Sequence, residues 1–478
     1  MKNSIIINNY NKIKTDPTYL KTLLNEKASK IQKSLDKKDN VILDFYGHEV
    51  NEQVNKLINS GLSDIYSGVT FLLKDNVNYK GHITTSGSLV MKDFVSPYSA
   101  TIVDKILANN GIILGKTNLD EFGHGGTGLY SAFGHVVNPF DSSKIVGGSS
   151  SGSVVAIKLG MSDIAIGTDT GDSIRHPASY LGVVGFKPTY GAVSRYGVTP
   201  YASSLDHVGL FTQTVTDCAI GFDMIKGFDE KDYTSIDLKT NCLENLPNLD
   251  ITKLKIAVLE DVVEDLDVQI KDKWNKFIDD LQQVTDVSFL KFGKNLLEIL
   301  NPLYAAISYM EGLTNWNNIN GILFGGKNID YKNYKDLLVK SRSLIGDEAK
   351  NRYLVADLFS NQENFEVVTN NTTKIRQIIV NKVNEILDDY DIILIPSSSR
   401  YAPKVQDVLD NKSITNCCDD ALMIANFAGL PSISIPLTSP TNQLAFDINL
   451  NGKKMADLKV LQAAFKLEEL IIQRGYYD

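Results

Sequence analysis

The sequence predicts an α/β fold in which strands and helices alternate along the chain. The apolar run Val69–Asn76 is typical of a buried strand, Ala100–Asn109 has helical periodicity, and Gly111–Leu114 again has the length and composition of a strand. Such strand–helix–strand alternation is typical of layered α/β architectures. Before it, apolar residues recur at helical spacing from Pro17 to Leu35, which predicts a helical layer at the N-terminus.

Further apolar runs continue this pattern toward the C-terminus. Leu254–Leu259, Asp391–Pro396 and Ser432–Pro436 all have the length of strands. The pair Asn451-Gly452 stands between two short runs, and this dipeptide favours the tight turn of a β-hairpin. We therefore expect several more strands and one hairpin in this half of the chain.

Length and composition are those of a globular protein. The chain has 478 residues, 43% of them hydrophobic and 22% charged, so it can form one very large domain or two to three smaller ones. A net charge of -9 argues against a dominant nucleic-acid-binding surface. The sequence contains no run of eighteen apolar residues, so it predicts no membrane span. The first seventeen residues lack the features of a secretory signal.

The four cysteines indicate a reducing compartment. Cys218, Cys242, Cys417 and Cys418 show no CxxC spacing, and no histidine cluster accompanies them. Adjacent cysteines such as the last two seldom form a disulfide, so we expect free thiols, no metal site and a cytoplasmic protein.

Three short motifs match known sites only in part. Gly111–Thr117 resembles a phosphate-binding loop but has three residues between its glycines instead of four, and we expect Gly115–Thr117 to turn the chain. Gly123–Gly128 fits GxGxxG without the strand and helix that a dinucleotide site needs. Gly148–Gly152 fits GxSxG with Ser150 as nucleophile, but no strong strand precedes it and no histidine follows position 207.

The stretch Val146–Pro188 concentrates glycines and hydroxyl side chains. A serine nucleophile without a histidine needs another base, and lysine is the usual substitute. Lys74 is the best candidate because it ends the apolar strand; the alternative is a lysine whose head simply reaches solvent at a strand end. To act as a base, its pKa must fall by about 3 units, an effect of about 4 kcal/mol that burial can supply.

Three long segments resemble, in order and spacing, the amidase signature family. They are LLKDN at Leu72–Asn76, GGSSSGS at Gly147–Ser153 and GTDTGDSIRHPASYLGVVGFKPTYGAVSRYG at Gly167–Gly197. The likeness is strong over residues 67–216 and fainter toward the C-terminus. It implies a mixed central β-sheet covered by helices, with residues 1–60 as the helical layer and residues 61–478 as a single amidase domain.

The family's catalytic triad falls on Lys74, Ser149 and Ser173. The resemblance implies that Ser173 attacks an amide carbon, while Ser149, which follows a cis peptide bond, relays the proton to neutral Lys74. An acyl-enzyme then reacts with water. The oxyanion hole is implied to consist of the backbone N–H groups of Thr170, Gly171, Asp172 and Ser173.

Two residues depart from the family pattern, because Ser151 and Asp172 each stand where the family usually has glycine. A carboxylate directly before the nucleophile alters the field at the oxyanion and puts the usual rate in doubt. We expect Asp169 and Arg175 to hold this loop in shape rather than touch substrate, and Ser150 to support the loop.

Within the family, the chain is most similar to the glutamine-hydrolysing A subunits of amidotransferases that act on glutamyl-tRNA(Gln) or aspartyl-tRNA(Asn). The similar segments are Asn118–Asp141, Gly346–Leu354 and Cys418–Pro436, although His124 replaces a methionine and Gly126 a serine of the first. The likeness implies a glutamine site that contains Gly125, Arg352 and Asp419. A guanidinium suits the α-carboxylate of glutamine, and a carboxylate suits its α-ammonium.

The same likeness implies a heterotrimer with B and C subunits as partners, in which ammonia passes to the B subunit and tRNA binds there. It implies no cofactor in this chain, with ATP and Mg²⁺ at one of the partners. Two alternatives remain open at this point. One is a free-standing amidase that acts on another small or aryl amide, and the other is a scaffold of the same fold whose catalysis Asp172 impairs.

Overall fold

A computed structural model describes residues 4–60, 64–322, 324–325, 329–410, 412, 414–438 and 444–476. Among these residues, eleven strands form one sheet in the order β1-β3-β2-β4-β6-β5-β10-β11-β9-β7-β8. The strands are β1 (Ile42–Phe45), β2 (Thr70–Lys74), β3 (Ile112–Thr117), β4 (Ile164–Asp169), β5 (Val184–Lys187), β6 (His207–Thr212), β7 (Lys255–Leu259), β8 (Asp286–Leu290), β9 (Ile392–Pro396), β10 (Ser432–Pro436) and β11 (Asp447–Gly452).

The sheet is mixed, as the family resemblance implies. Strand β2 runs parallel to β3 and β4, and β7 runs parallel to β8 and β9, whereas the other neighbours pair antiparallel. The central strands β2, β3 and β4 are buried along their whole length, which explains their continuous apolar runs. The α/β prediction and the mixed sheet are confirmed.

Helices cover the sheet. They are α1 (Ile5–Thr15), α2 (Tyr19–Lys37), α3 (Gly47–Ser60), α4 (Thr101–Ala108), α5 (Ser151–Lys158), α6 (Arg175–Leu181), α7 (Val215–Ile225), α8 (Cys242–Asn245), α9 (Glu260–Val263), α10 (Val268–Gln282), α11 (Lys294–Glu298), α12 (Leu300–Trp316), α13 (Tyr334–Ser343), α14 (Asp347–Ser360), α15 (Phe365–Asp389), α16 (Val405–Leu409), α17 (Cys417–Asp420), α18 (Ile424–Phe427) and α19 (Asp457–Gln473). Short 3-10 turns complete the set at Leu89–Met91, Glu121–Gly123, Leu246–Asn248, Ile251–Lys253 and Ala421–Met423. No helix among the described residues is long and apolar enough to cross a membrane.

The helical spacing of Pro17–Leu35 corresponds to α2, and the N-terminal segment also contains α1, α3 and the strand β1, which the sequence did not predict. Strand β1 pairs antiparallel with β3 at one edge of the sheet. Ser4 caps α1 and also donates to Asp217 (2.5 Å), and Lys27 on α2 forms an ion pair with Asp163 (2.5 Å). These contacts connect residues 4–60 to the rest of the molecule. That residues 1–60 form a separate layer stays a prediction.

Two predicted turns are wrong because both lie in strands with a neighbour on each side. Gly115–Thr117 ends β3, where it pairs with β1 and β2. A Cβ atom at Gly115 would lie 2.1 Å from the carbonyl oxygen of Asp44, so this glycine permits the close approach of β1 rather than a turn. Asn451 and Gly452 end β11, between β10 and β9.

Candidate active site

Lys74 is the last residue of β2, and its side chain is fully buried. Its Nζ atom donates to three hydroxyl oxygens, at 2.8 Å to Ser149, 2.9 Å to Ser150 and 2.8 Å to Thr168. The partners are therefore neutral groups rather than carboxylates. A neutral lysine has two N–H donors and one lone pair, so it can accept a proton from one of these hydroxyls.

Burial lowers the pKa of Lys74 to about 7, although Asp120, Asp169 and Asp206 raise it in part. The fall from the ordinary value corresponds to about 5 kcal/mol against the charged form. A lysine with such a pKa is a competent base near neutral pH. The direction agrees with the expectation from the sequence, and the role of Lys74 as the base stays a prediction.

Ser149 follows a cis peptide bond to Gly148, as the resemblance implies. Its side chain is buried, and its carbonyl oxygen accepts from the backbone N–H of Asp120 (3.2 Å). Asp120 in turn accepts from two backbone N–H groups, those of Gly128 (3.0 Å) and Tyr130 (2.9 Å). Asp120 thus joins the loop that carries Ser149 to the loop of residues 120–130.

Ser173 lies in the loop between β4 and α6, and only 4% of it is exposed. The buried ion pair between Asp169 and Arg175 holds this loop, with Nη2 of Arg175 at 3.0 Å from Asp169 and at 2.6 Å from the carbonyl oxygen of Gly171. Asp169 also accepts from the backbone N–H of Ile174 (3.0 Å). Although burial raises the pKa of Asp169, Arg175 lowers it well below its usual range. The shape-holding role expected of these two residues is confirmed.

Four successive backbone N–H groups in this loop have no acceptor within the described part of the chain: those of Thr170, Gly171, Asp172 and Ser173. Free N–H groups at a turn between a strand and a helix can bind an oxyanion. A Cβ atom at Gly171 would lie 3.0 Å from the ring of Tyr304, so this position must stay small.

The two departures from the family pattern differ in their surroundings. Ser151 begins α5, and its buried hydroxyl has no hydrogen-bond partner among the described residues. The carboxylate of Asp172 lies 3.2 Å from Nδ1 of His176, one turn further along α6. Nε2 of the same ring lies 3.5 Å from Asp419.

Residues predicted to bind glutamine are placed on three different elements. Arg352, on α14, contacts Glu348 (2.9 Å) and the hydroxyl of Tyr201 (3.2 Å). Gly125 has a φ of 126°, and a Cβ atom there would lie 2.9 Å from the side chains of Asp120 and Tyr130. Any residue other than glycine would therefore be strained at this position.

Asp419 is only 1% exposed, and both of its oxygens are already hydrogen-bonded. Oδ1 accepts from the backbone N–H of Ser399 (2.7 Å), and Oδ2 accepts from its hydroxyl (2.6 Å) and from the N–H of Asn416 (3.0 Å). A substrate ammonium would have to displace one of these donors. The neighbouring Asp420 is more exposed, and burial raises its pKa to about 7.

A cavity of about 390 Å³ opens next to the residues that contact Lys74 and Ser149. Its lining includes Thr168, which contacts Lys74, and Gly123, where an added Cβ atom would lie 3.7 Å from Oγ of Ser149. The volume suits a small-molecule substrate. Tyr201, the partner of Arg352, lines the same cavity.

Two hydroxyls of this site are not predicted from the sequence. The sequence indicates only a supporting role for Ser150, yet its hydroxyl contacts Lys74 directly. Thr168 precedes Asp169 in the motif, and nothing in the sequence distinguishes its hydroxyl from the others nearby. Its Oγ1 accepts from Asn76 (3.2 Å) as well as from Lys74.

The fold, the buried lysine and the serine-rich loops define an amidase. The sequence profile of the family described as Amidase matches residues 24–461, and the chain belongs to this family.

Among its relatives, the chain is similar to the A subunit of the glutamyl-tRNA(Gln) amidotransferase of Mycoplasma genitalium, with 36% identity over 95% of this chain and 96% of that protein. It is also 36% identical to the corresponding A subunit of Ruminiclostridium cellulolyticum, over 87% of this chain and 86% of that protein. Among solved structures, the same A subunit from Thermotoga maritima matches with a TM-score of 0.76 and 30% identity, over 93% and 90% of the two chains. A bacterial aryl acylamidase has a TM-score of 0.84 at 22% identity, over 99% and 97%, and this likeness shows the fold alone.

Proposed function

We propose that this chain is the glutaminase subunit of a tRNA-dependent amidotransferase. It hydrolyses glutamine and passes the ammonia to a partner protein, which amidates glutamyl-tRNA(Gln). The proposal is supported by relatives of this name that match along nearly the whole chain. The observation that carries the chemistry is the buried Lys74, whose amine contacts only hydroxyl groups.

The reaction begins when Oγ of Ser173 attacks the side-chain amide carbon of glutamine. The hydroxyl proton of Ser173 passes to Ser149, and the proton of Ser149 passes to Nζ of Lys74, which is 2.8 Å away. The carbonyl π bond opens, and the resulting oxyanion is held by the free N–H groups of residues 170–173. The hydrogen bond between lysine and serine supports this order of proton transfer.

Collapse of the tetrahedral intermediate breaks the carbon–nitrogen bond. Lys74 returns its proton through Ser149 to the departing nitrogen, and ammonia leaves. Water then attacks the acyl-enzyme by the same relay, releases glutamate and restores the hydroxyl of Ser173. Each proton transfer in this sequence is assigned to a side chain of this chain.

Arg352 is proposed to bind the α-carboxylate of glutamine. Its guanidinium is held by Glu348 and Tyr201, and Tyr201 lines the cavity beside the catalytic residues. Gly125 shapes the neighbouring loop. Asp419 is proposed to bind the α-ammonium of glutamine, together with its more exposed neighbour Asp420.

The B and C subunits of the amidotransferase are the proposed partners, with tRNA bound through the B subunit, and the complex works in the cytoplasm. Exposed apolar side chains on α14 and α15 support a protein partner, because exposed apolar surface often marks an interface. These side chains are 53–70% exposed: Leu354, Leu358, Phe365 and Val367. ATP and Mg²⁺ are proposed to act at one of the partners, since Gly111–Thr117 lies within the sheet and cannot cradle a phosphate.

Glutamine hydrolysis, measured with and without the B and C subunits, tests the proposal. We expect turnover that rises when the partners bind, and that is lost in Ser173→Ala and Lys74→Ala. Ser179→Ala is the matched control, because this buried serine on α6 contacts Ser398 and lies outside the triad. Faster hydrolysis of other amides than of glutamine, with no response to the partners, would favour a free-standing amidase; no turnover of any amide would favour the scaffold.

A further inference from the structure

The carboxylate of Asp172 occupies a position that is unfavourable for the proposed reaction. It directly precedes Ser173, and its own backbone N–H belongs to the proposed oxyanion hole. A negative charge next to a developing oxyanion raises the energy of the transition state, because the two charges repel in a site that holds little water. The same carboxylate is also an acceptor that could bind the free N–H groups of residues 170–173.

The carboxylate of Asp172 is hydrogen-bonded to His176. Its Nδ1 atom lies 3.2 Å from Oδ2 of Asp172, in the i, i+4 relation on the first turn of α6. Nε2 of the same ring lies 3.5 Å from Oδ1 of Asp419, and the residue is only 3% exposed. Nδ1 therefore donates to Asp172, whereas Nε2 lies within ion-pair distance of a second carboxylate without a hydrogen bond to it. The two carboxylates favour the charged imidazolium over the neutral ring.

We propose that His176, as an imidazolium, is a positioning residue for the amidase reaction: it holds the carboxylate of Asp172 away from the oxyanion hole and neutralises its charge. The proposal rests on the proposed function in one respect, since it takes Ser173 as the nucleophile. It explains how the chain can carry an aspartate where the family usually has glycine and still leave four N–H groups free.

The groups that face His176 come from three elements. Asp172 belongs to the preceding loop, the ring of Tyr180 on α6 packs against the imidazole at a tilt of 48° with 4.5 Å between centroids, and α17 supplies Asp419 and Asp420. Arg400 contributes a positive charge on this side of the ring, which lowers the pKa of Tyr180 in part. Burial lowers the pKa of His176, but the hydrogen bond of Asp172 and the charges of the three carboxylates outweigh burial, so this pKa is raised.

A consequence for the pH profile follows. Activity rises as the pH increases through the pKa of Lys74, because the amine loses its proton, and activity falls as the pH increases through the pKa of His176, because the proton that compensates Asp172 is lost. The acid limb of the pH profile therefore reports the loss of the proton from Lys74, and the alkaline limb reports the loss of the proton from His176 beside Asp172. The alkaline limb should disappear when either partner of the pair cannot carry charge.

The experiment is a double-mutant cycle in the full chain together with its partner proteins: wild type, His176→Gln, Asp172→Gly and the double variant. The values of kcat and KM for glutamine are measured across the pH range. We expect His176→Gln to lower kcat about tenfold with little change in KM, since one uncompensated charge near the oxyanion is enough for such a loss. In the Asp172→Gly background the same change should alter kcat less than about twofold.

An equal loss of kcat in both backgrounds would overturn the proposal, because His176 would then act independently of Asp172. An unchanged kcat in His176→Gln would overturn it as well. If His176→Gln fails to fold, Asp172→Asn decides: its pH profile should lose the alkaline limb, and a retained limb contradicts the proposal. Wild-type turnover of glutamine tests the proposed function separately; if only another amide is turned over, the cycle is run with that amide.

Discussion

Replacing Thr168 by valine should shift the acid limb of the pH–rate profile to lower pH. The limb reports the loss of a proton from Lys74, whose pKa burial lowers to about 7. The oxygen of Thr168 accepts from Lys74 (2.8 Å) and from Asn76 (3.2 Å), so it acts as an acceptor toward the lysine. Valine has nearly the same shape and no acceptor.

The magnitude follows from the three hydroxyl partners of the amine. The ammonium uses all three, whereas the neutral amine donates only two hydrogens, so the loss of one acceptor weakens the charged form more. A hydrogen bond to a charged group contributes about 1.5–3 kcal/mol, and the neutral form loses part of this as well. A net effect of about 1.4 kcal/mol is one pKa unit, which moves the limb from about pH 7 to about pH 6.

The assay is kcat/KM for glutamine as a function of pH, with the partner proteins present. Thr117→Val is the matched control, because Thr117 is also buried, lies on β3 opposite Lys74 of β2, and contacts Ser153 (2.7 Å) rather than the lysine. A limb at unchanged or higher pH in Thr168→Val would refute the reasoning. So would an equal shift in the control.

Three further substitutions have defined outcomes. Arg352→Lys should raise KM for glutamine about tenfold with a smaller change in kcat, because a lysine offers one ammonium where the guanidinium offers a fork; an unchanged KM contradicts the substrate assignment. Arg175→Met should lower the free energy of unfolding by about 3–5 kcal/mol, because it leaves the buried carboxylate of Asp169 unpaired; urea denaturation that shows a loss below about 1 kcal/mol contradicts this. His124→Met should stabilise the fold by about 1 kcal/mol or more in the same assay, since neither ring nitrogen has a hydrogen-bond partner among the described residues, and a lower midpoint contradicts it.

The sequence predicts the central strands well, because burial on both faces leaves a direct trace in continuous apolar runs. Val69–Asn76 contains β2, and Ser432–Pro436 is β10. The prediction fails for Gly115–Thr117 and for Asn451-Gly452, whose local preference is for a turn. Pairing with two neighbouring strands outweighs that preference, and a single sequence does not reveal the partners.

The residues of the candidate site are also predicted only in part by the sequence. The lysine at the end of an apolar strand is visible in the sequence, and the family resemblance adds Ser149 and Ser173. The other hydroxyls around the amine are not visible, because Thr168 comes from β4 and Ser150 from the loop before α5. Their role depends on which hydroxyls the folded chain brings within 3 Å of one nitrogen.

Two buried lysines on adjacent strands show what makes one of them a base. Lys116 on β3 donates to the carboxylate of Asp75 (3.1 Å), an anion that favours its charged form. Among the described residues, Lys74 on β2 donates only to hydroxyls. Two carboxylates that raise its pKa are bound elsewhere: Asp169 by Arg175, and Asp120 by backbone N–H groups. The fold thus keeps negative charge from direct contact with the amine that is proposed as the base. By the same logic, an aspartate beside the proposed nucleophile is tolerable only if a cation binds it, and His176 is placed to do so.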